Sequence, residues 1–229
     1  MINSKDERAP IATTSGSYAY GWQQLKKYFV YFLVISLIVG IADVPFSKAG
    51  EMEWENSPAT YGLQLMAMAY AIFFLPVIKY GGDLLILRGI RNEELELGEL
   101  FIGFKRNYIN IVLAHLITIA VIIIGFIFLI IPGIVLACRL VFVSYLVMDK
   151  NMEPIAAIEK SWTMTRGHGW RIFGMALLAI PIFIVGLLFC IIGVVLSVMW
   201  VHAAFAALYY AIDRENEATL INDGGMPVS

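Results

Sequence analysis

The sequence predicts an all-α integral membrane protein with about six transmembrane helices, and three observations carry that prediction. Only 15% of its 229 residues are charged while 60% are hydrophobic, against roughly a quarter charged in an ordinary soluble domain. The charge is missing in blocks: Ile172 to Ile212 holds no Asp, Glu, Lys or Arg, and Tyr108 to Met148 holds Arg139 alone. Each block is twice the roughly 20 apolar residues that cross a bilayer as a helix, so each predicts a helical hairpin. Third, cationic residues gather between the apolar blocks in a pattern that assigns nearly all of them to one side.

Residues 1–16 are polar and Ser/Thr-rich and read as a disordered cytoplasmic tail. In 17–27, Tyr18, Trp22 and Leu25, continued by Phe29, fall at i, i+4, i+7 and i+11. That stripe predicts a surface helix with aromatic anchors and with Lys26 and Lys27 facing headgroups. The first span runs from Tyr28 to Ala42. No small-x-small cleavage site follows it, so it reads as a retained signal anchor. Asp43 to Tyr61 carries Asp43, Glu51, Glu53, Glu55, Pro45 and Pro58 and predicts an acidic loop; calcium at its three alternating glutamates is much less favoured than simple solvation.

A second span follows from Gly62 to Tyr80, continuing as helix past Gly81–Gly82 towards Arg91. In 93–106, Leu97, Leu100, Phe101 and Phe104 obey the i, i+3, i+4, i+7 rule, predicting an amphipathic helix in the interface. The third span is Tyr108 to Ile131, turned at Pro132–Gly133, and the fourth is Ile134 to Met148. A second surface segment at 153–166 places Ile155, Ile158 and Trp162 on one face, with Pro154 in the first turn. Spans from Trp170 to Cys190 and from Gly193 to Ile212 complete a single domain over 17–213, and 214–229 reads as a cytoplasmic tail.

This arrangement puts Lys5, Arg8, Lys26, Lys27, Lys79, Arg88, Arg91, Lys105, Arg106, Lys150, Lys160, Arg166, Arg171 and Arg214 on one side and Lys48 alone on the other. Positive charge marks the cytoplasmic face, so both termini are expected inside a bacterial cytoplasmic membrane. An internal repeat accompanies this: at an offset of 60 residues Arg106 falls on Arg166, Ile131 on Ile191 and Gly133 on Gly193. With a looser N-terminal unit, the chain reads as three pseudo-repeated hairpins, each preceded by a surface helix and related by an axis along the membrane normal.

The Pro132–Gly133 turn, Arg139, Asp149 and the Ala157…Lys160–Ser161–Trp162…Thr165–Arg166–Gly167 segment, with 94–105 upstream, resemble a group of bacterial membrane proteins. That group shares the membrane domain also found attached to glycerophosphodiester phosphodiesterases. The resemblance covers most of 76–212. It implies the fold and leaves activity open, since most such proteins stand alone without an assigned function and this chain shows no phosphodiesterase catalytic segment.

Ionisable groups inside spans are the natural site candidates, because hydrocarbon makes them costly. Arg139 is the first, either as a contact for an anion or lipid phosphate or as a strut to backbone carbonyls. His115 and His202 follow, read mainly as packed residues, with no carboxylate in a span to build a relay. Lys79 and Asp83, at i and i+4, form an expected local ion pair, with gating or substrate contact as the alternative. Ser161 and His168 make only a weak catalytic pair, and no nucleophile elbow, P-loop or HExxH is present. Cys138 and Cys190 lie in apolar stretches without metal-ligand spacing. No cofactor, metal or nucleic-acid partner is therefore expected, and membrane lipids or another integral membrane protein are the expected partners. The favoured function is a non-catalytic accessory, scaffold or lipid-organising component; the alternative is a small transporter or lipid-translocating protein using Arg139.

Overall fold

The computed structural model describes residues 10–51 and 58–222, and among these no strand occurs. The helices are α1 (Thr14–Lys27), α2 (Phe29–Glu51), α3 (Pro58–Phe73), α4 (Leu75–Arg91), α5 (Ile102–Lys105), α6 (Tyr108–Phe128), α7 (Ile130–Arg139), α8 (Val143–Asp149), α9 (Pro154–Met164), α10 (Gly169–Leu188) and α11 (Cys190–Asn222). Six segments are long and apolar enough to cross a membrane, with α3–α4 and α7–α8 each counting as one interrupted span. Large apolar side chains from Ile123 to Ile131 and from Ile184 to Phe189 stand exposed. Such a surface belongs against lipid tails rather than water.

Several boundaries differ from expectation. α1 begins inside the stretch read as a tail, because the Thr13 hydroxyl accepts from the Gly16 N–H and caps it. The tail reading of residues 1–9 and the outer glutamates Glu53 and Glu55 lie outside the described residues. α2 continues through Asp43 and Pro45 to Glu51, so Asp43 is helical and not part of a loop. The helix in 93–106 is instead an extended stretch, a 3-10 turn at Leu97–Phe101 and the single turn α5. Its Leu100 is fully buried, with its carbonyl pressed on Gly81. Gly81 is thus the position at which only a glycine lets the Leu100 backbone lie directly on α4. The C-terminal polar segment stays helical through Asn222.

The stripe on α1 also faces the other way. Tyr18 and Leu25 are buried against the bundle rather than anchored in headgroups. A Cβ on Gly21 would stand 2.8 Å from the Ala204 amide nitrogen, so the glycine lets α1 lie directly on the alanine surface of α11. The Trp200 indole donates to the Tyr18 carbonyl at 2.9 Å, and the Tyr18 hydroxyl donates to the Met175 carbonyl at 2.9 Å. Small residues close the two hairpins as well: a Cβ on Gly125 would meet Gly133 at 3.0 Å, and one on Gly186 would meet the Gly193 carbonyl at 2.7 Å.

An ionic cluster ties three helix ends together. Arg91 of α4 donates twice to Asp149 of α8, at 2.5 and 2.8 Å. Tyr209 of α11 donates to the same carboxylate at 3.2 Å. Asp213 accepts from Lys150 at 2.5 Å and lies 3.8 Å from Arg91. Burial works to lower the Lys150 ammonium, but the hydrogen bond and charge of Asp213, with Glu217, outweigh it and raise its pKa.

Two outcomes follow. Asp149→Ala strands the nearly enclosed Arg91 guanidinium and is expected to cost about 3 kcal/mol, read from detergent-induced unfolding; Lys105→Ala, on the exposed surface, should stay within about 0.5 kcal/mol. The second concerns Tyr18, whose phenol burial pushes up to about 12. Its raised pKa leaves stability intact below the unfolded value near 10 and removes it as pH climbs through 10 to 12. Alkaline unfolding curves should show this loss, and Tyr18→Phe should flatten it.

Candidate intramembrane site

A cavity of about 570 Å³ opens between α2, α4, α6, the α7–α8 break and α11, and every residue lining it belongs to one of five candidate spans. Valine, leucine and isoleucine, including Val39, Leu140, Val194 and Val198, make up nearly half of its lining residues, and polar side chains make up as many. Into this apolar chamber project Asp43 and Ser36 from α2, Lys79, Tyr80 and Asp83 from α4, and His115 and Thr118 from α6. Ser144 from α8 and His202 from α11 complete the polar set. A sizeable apolar pocket with a few convergent polar groups is the usual form of a small-ligand site.

The charged groups are paired, though not as the sequence spacing implied. Lys79 bonds across to Asp43 at 3.2 Å, not along its own helix to Asp83. Asp83 faces the His202 Nδ1 at 3.5 Å. A carboxylate inside a span therefore does accompany a histidine, correcting the expectation that none was available. One pair links α4 to α2 and the other links α4 to α11. His115 meets the Tyr80 ring edge-to-face at 5.9 Å, and the Thr118 hydroxyl is buried without a hydrogen-bond partner. Four of the five candidates from sequence, Lys79, Asp83, His115 and His202, are thus brought together; Asp43 joins them after being assigned to the loop.

Arg139 stands elsewhere. It closes α7, and its guanidinium lies 5.4 Å from the Trp162 ring centroid of α9. Its carbonyl accepts from Ser161 at 2.7 Å and from Thr165 at 3.4 Å. These bonds exist because α7 and α8 break at residues 140–142, freeing carbonyls that a continuous helix would consume. One guanidinium nitrogen is buried without an acceptor. Arg139 therefore joins α7 to α9 and does not line the cavity. Ser161, spent on that carbonyl, and His168, 3.3 Å from Glu215, form no pair.

A second, polar cleft of about 270 Å³ lies at the ionic cluster, lined by Arg88, Arg91, Arg106, Asn107 and Asn151 among others. Arg88 is held there by Glu99 and Arg91 by Asp149. Among the described residues no group of three or more His, Cys, Asp or Glu is placed to hold a metal ion.

Replacing Arg139 tests its separation from the site. Arg139→Leu should leave the reaction of maleimide with Ser144→Cys unchanged within twofold. A double-mutant cycle with Trp162→Ala should return a coupling of about 1 kcal/mol.

A family model described as a domain of unknown function, DUF7847, matches residues 94–213. That region supplies His115, Arg139, Ser144 and His202, while Asp43, Lys79 and Asp83 precede it. No curated protein and no solved structure matches the chain.

Proposed function

Since the chain belongs to the DUF7847 family, whose function is unknown, we propose a role from its own cavity: a small non-catalytic transporter that binds a polar solute between α2, α4 and α11 and passes it across the membrane. The observation that carries this reading is the Lys79–Asp43 ion pair and the Asp83–His202 contact, both between helices and both inside one chamber built from five spans. Charges in hydrocarbon are retained for pathways and ligands far more readily than for packing. The anion contact first sought at Arg139 moves to Lys79 in this reading.

We further propose residence in a bacterial cytoplasmic membrane with both termini cytoplasmic. The support is the crowding of Lys and Arg on one set of helix ends, with Lys48 alone on the other and Lys79 lining the cavity. The three-hairpin repeat belongs to the same proposal. Its support is the paired glycine contacts Gly125–Gly133 and Gly186–Gly193, which recur at an offset of 60 to 61 residues. Parallel repeats packed around a shared chamber are a recurrent transporter plan. The proposed relation to membrane domains attached to glycerophosphodiester phosphodiesterases is compatible with this placement but supplies no activity; the matched family model carries no such link.

An accessory or lipid-organising role, with membrane lipids or a second membrane protein as partner, is the other reading. It draws on α9, which leaves Ile155 and Trp162 exposed on one flank.

Access from the two sides separates the readings without knowledge of the solute. In a background carrying Cys138→Ser and Cys190→Ser, Ser144→Cys and Val194→Cys place probes in the cavity wall on two different helices, α8 and α11. A membrane-impermeant maleimide should label both positions from each side, in spheroplasts and in inverted vesicles. Labelling of each cysteine from one side only would leave a closed chamber and favour the accessory role.

A further inference from the structure

We infer that the cavity binds a zwitterion carried on an apolar body: its anionic group on Lys79, its cationic group on Asp83, and its body against the surrounding valines. The inference deepens the transporter reading by naming the solute class.

The argument starts from α4. Lys79 and Asp83 sit at i and i+4, so their stems leave the helix about 5–6 Å apart on one face. A lysine and an aspartate so placed ordinarily pair with each other. Here they do not: each reaches to another helix, Lys79 to Asp43 and Asp83 to His202. The face therefore presents a lysine beside an aspartate, each in contact with a partner on another helix that an entering group can replace. The side chains of Lys79, Asp43 and His202 are 42%, 48% and 50% exposed, so three of the four groups are open to an entering solute. A ligand with one charge satisfies one member of α4 and strands nothing on the other. A ligand with both charges replaces Asp43 and His202 together.

Size and lining narrow the class. A chamber of about 570 Å³ exceeds the needs of a bare small zwitterion and falls within the range of pockets for drug-sized ligands. Val39, Val194, Val195 and Val198 offer it an apolar wall. The shared chemistry is met by a soluble apolar dipeptide or by the phosphoethanolamine headgroup of a lipid.

Exchange of partners also supplies a means of coupling. When the ligand takes Lys79 and Asp83, the bonds to Asp43 of α2 and His202 of α11 are both released, while Arg91–Asp213 still joins α4 to α11. Occupancy then favours whichever arrangement separates those helices, as differential binding requires.

The test uses the full chain in nanodiscs of phosphatidylglycerol, with binding followed by calorimetry. The probes are leucyl-leucine, N-acetyl-leucyl-leucine, which keeps only the anion, and leucyl-leucine amide, which keeps only the cation. Leucyl-leucine should bind at least tenfold more tightly than either analogue, and Lys79→Met and Asp83→Asn should each abolish that preference. Asp43→Asn, which removes a competitor and no ligand contact, should tighten binding several-fold, so the idea stays testable if the α4 variants misfold. A second arm adds phosphatidylethanolamine and reads lipid retention by native mass spectrometry. Selective retention that is lost in Lys79→Met assigns the zwitterion to a lipid headgroup and supports the inference. Equal binding of the singly charged analogues, weaker binding in Asp43→Asn, or no zwitterion held in either arm overturns it. Two-sided maleimide labelling would survive that last outcome, so failure of the solute class is distinct from failure of the transporter reading.

Discussion

A charged side chain on a helix long and apolar enough to span a membrane needs a partner, and α4 carries four such side chains. Lys79 reaches Asp43 of α2, Asp83 reaches His202 of α11, Arg88 reaches Glu99 of the 3-10 turn, and Arg91 reaches Asp149 of α8 and Asp213 of α11. No two of these bonds end on the same set of neighbours. The rest of α4 is correspondingly enclosed, with Val77, Leu85, Leu87 and Ile90 fully buried. The bundle is arranged around a helix that would be unaffordable in the membrane alone.

The two ends of α4 are held to different standards. At Arg91 the partners are nearly enclosed, the carboxylate of Asp149 is gripped twice, and Tyr209 completes its hydrogen bonding. A buried pair of that kind is strongly destabilised by loss of either member. At Lys79 and Asp83 each group has one partner, at 3.2 and 3.5 Å, beside open volume. Coulomb attraction there is weakened by exposure and shared among fewer bonds. One end of the helix is thus a clamp, while the other can exchange partners.

The six spans were legible because length and apolarity alone specify them. What escaped were the residues whose meaning depends on a neighbour far away in the chain. Asp43 beside Pro45 reads as the start of a loop, since a charge and a proline both argue against continuing a helix; only Lys79 across the bundle makes the helical placement favourable. The i, i+4 rule paired Lys79 with Asp83 because sequence shows local neighbours and hides those on α2 and α11. The stripe on α1 was periodic and correctly helical, but periodicity cannot say whether an aromatic face meets headgroups or protein. The informative signal was the match of Gly21 with the Ala203–Ala204 surface, two features 182 residues or more apart. Arg139 looked strongest because it was alone in its block, yet solitude in sequence measured only the absence of local charge. Its placement against Trp162 follows from the break after α7, which no composition argument foresees.

The packing divides along the same line as the electrostatics. α1, α10 and α11 are joined by small residues at close range, through Gly21 on Ala204 and Gly186 on Gly193, and by the Tyr18 and Trp200 hydrogen bonds. Contacts of this kind are dense and short, and they resist sliding because a shift of one residue brings a larger side chain into the gap. Around the cavity, α4 meets α2 through Lys79–Asp43 and through Gly82 against Val39 and Ile35, and meets α11 through Asp83–His202 and, further along, Arg91–Asp213. If α2 and α11 part from α4, α11 must carry α1 and α10 with it. The charged groups of the cavity thus sit at the joints of α4 with α2 and α11, where a ligand at Lys79 and Asp83 competes for bonds that tie those helices together.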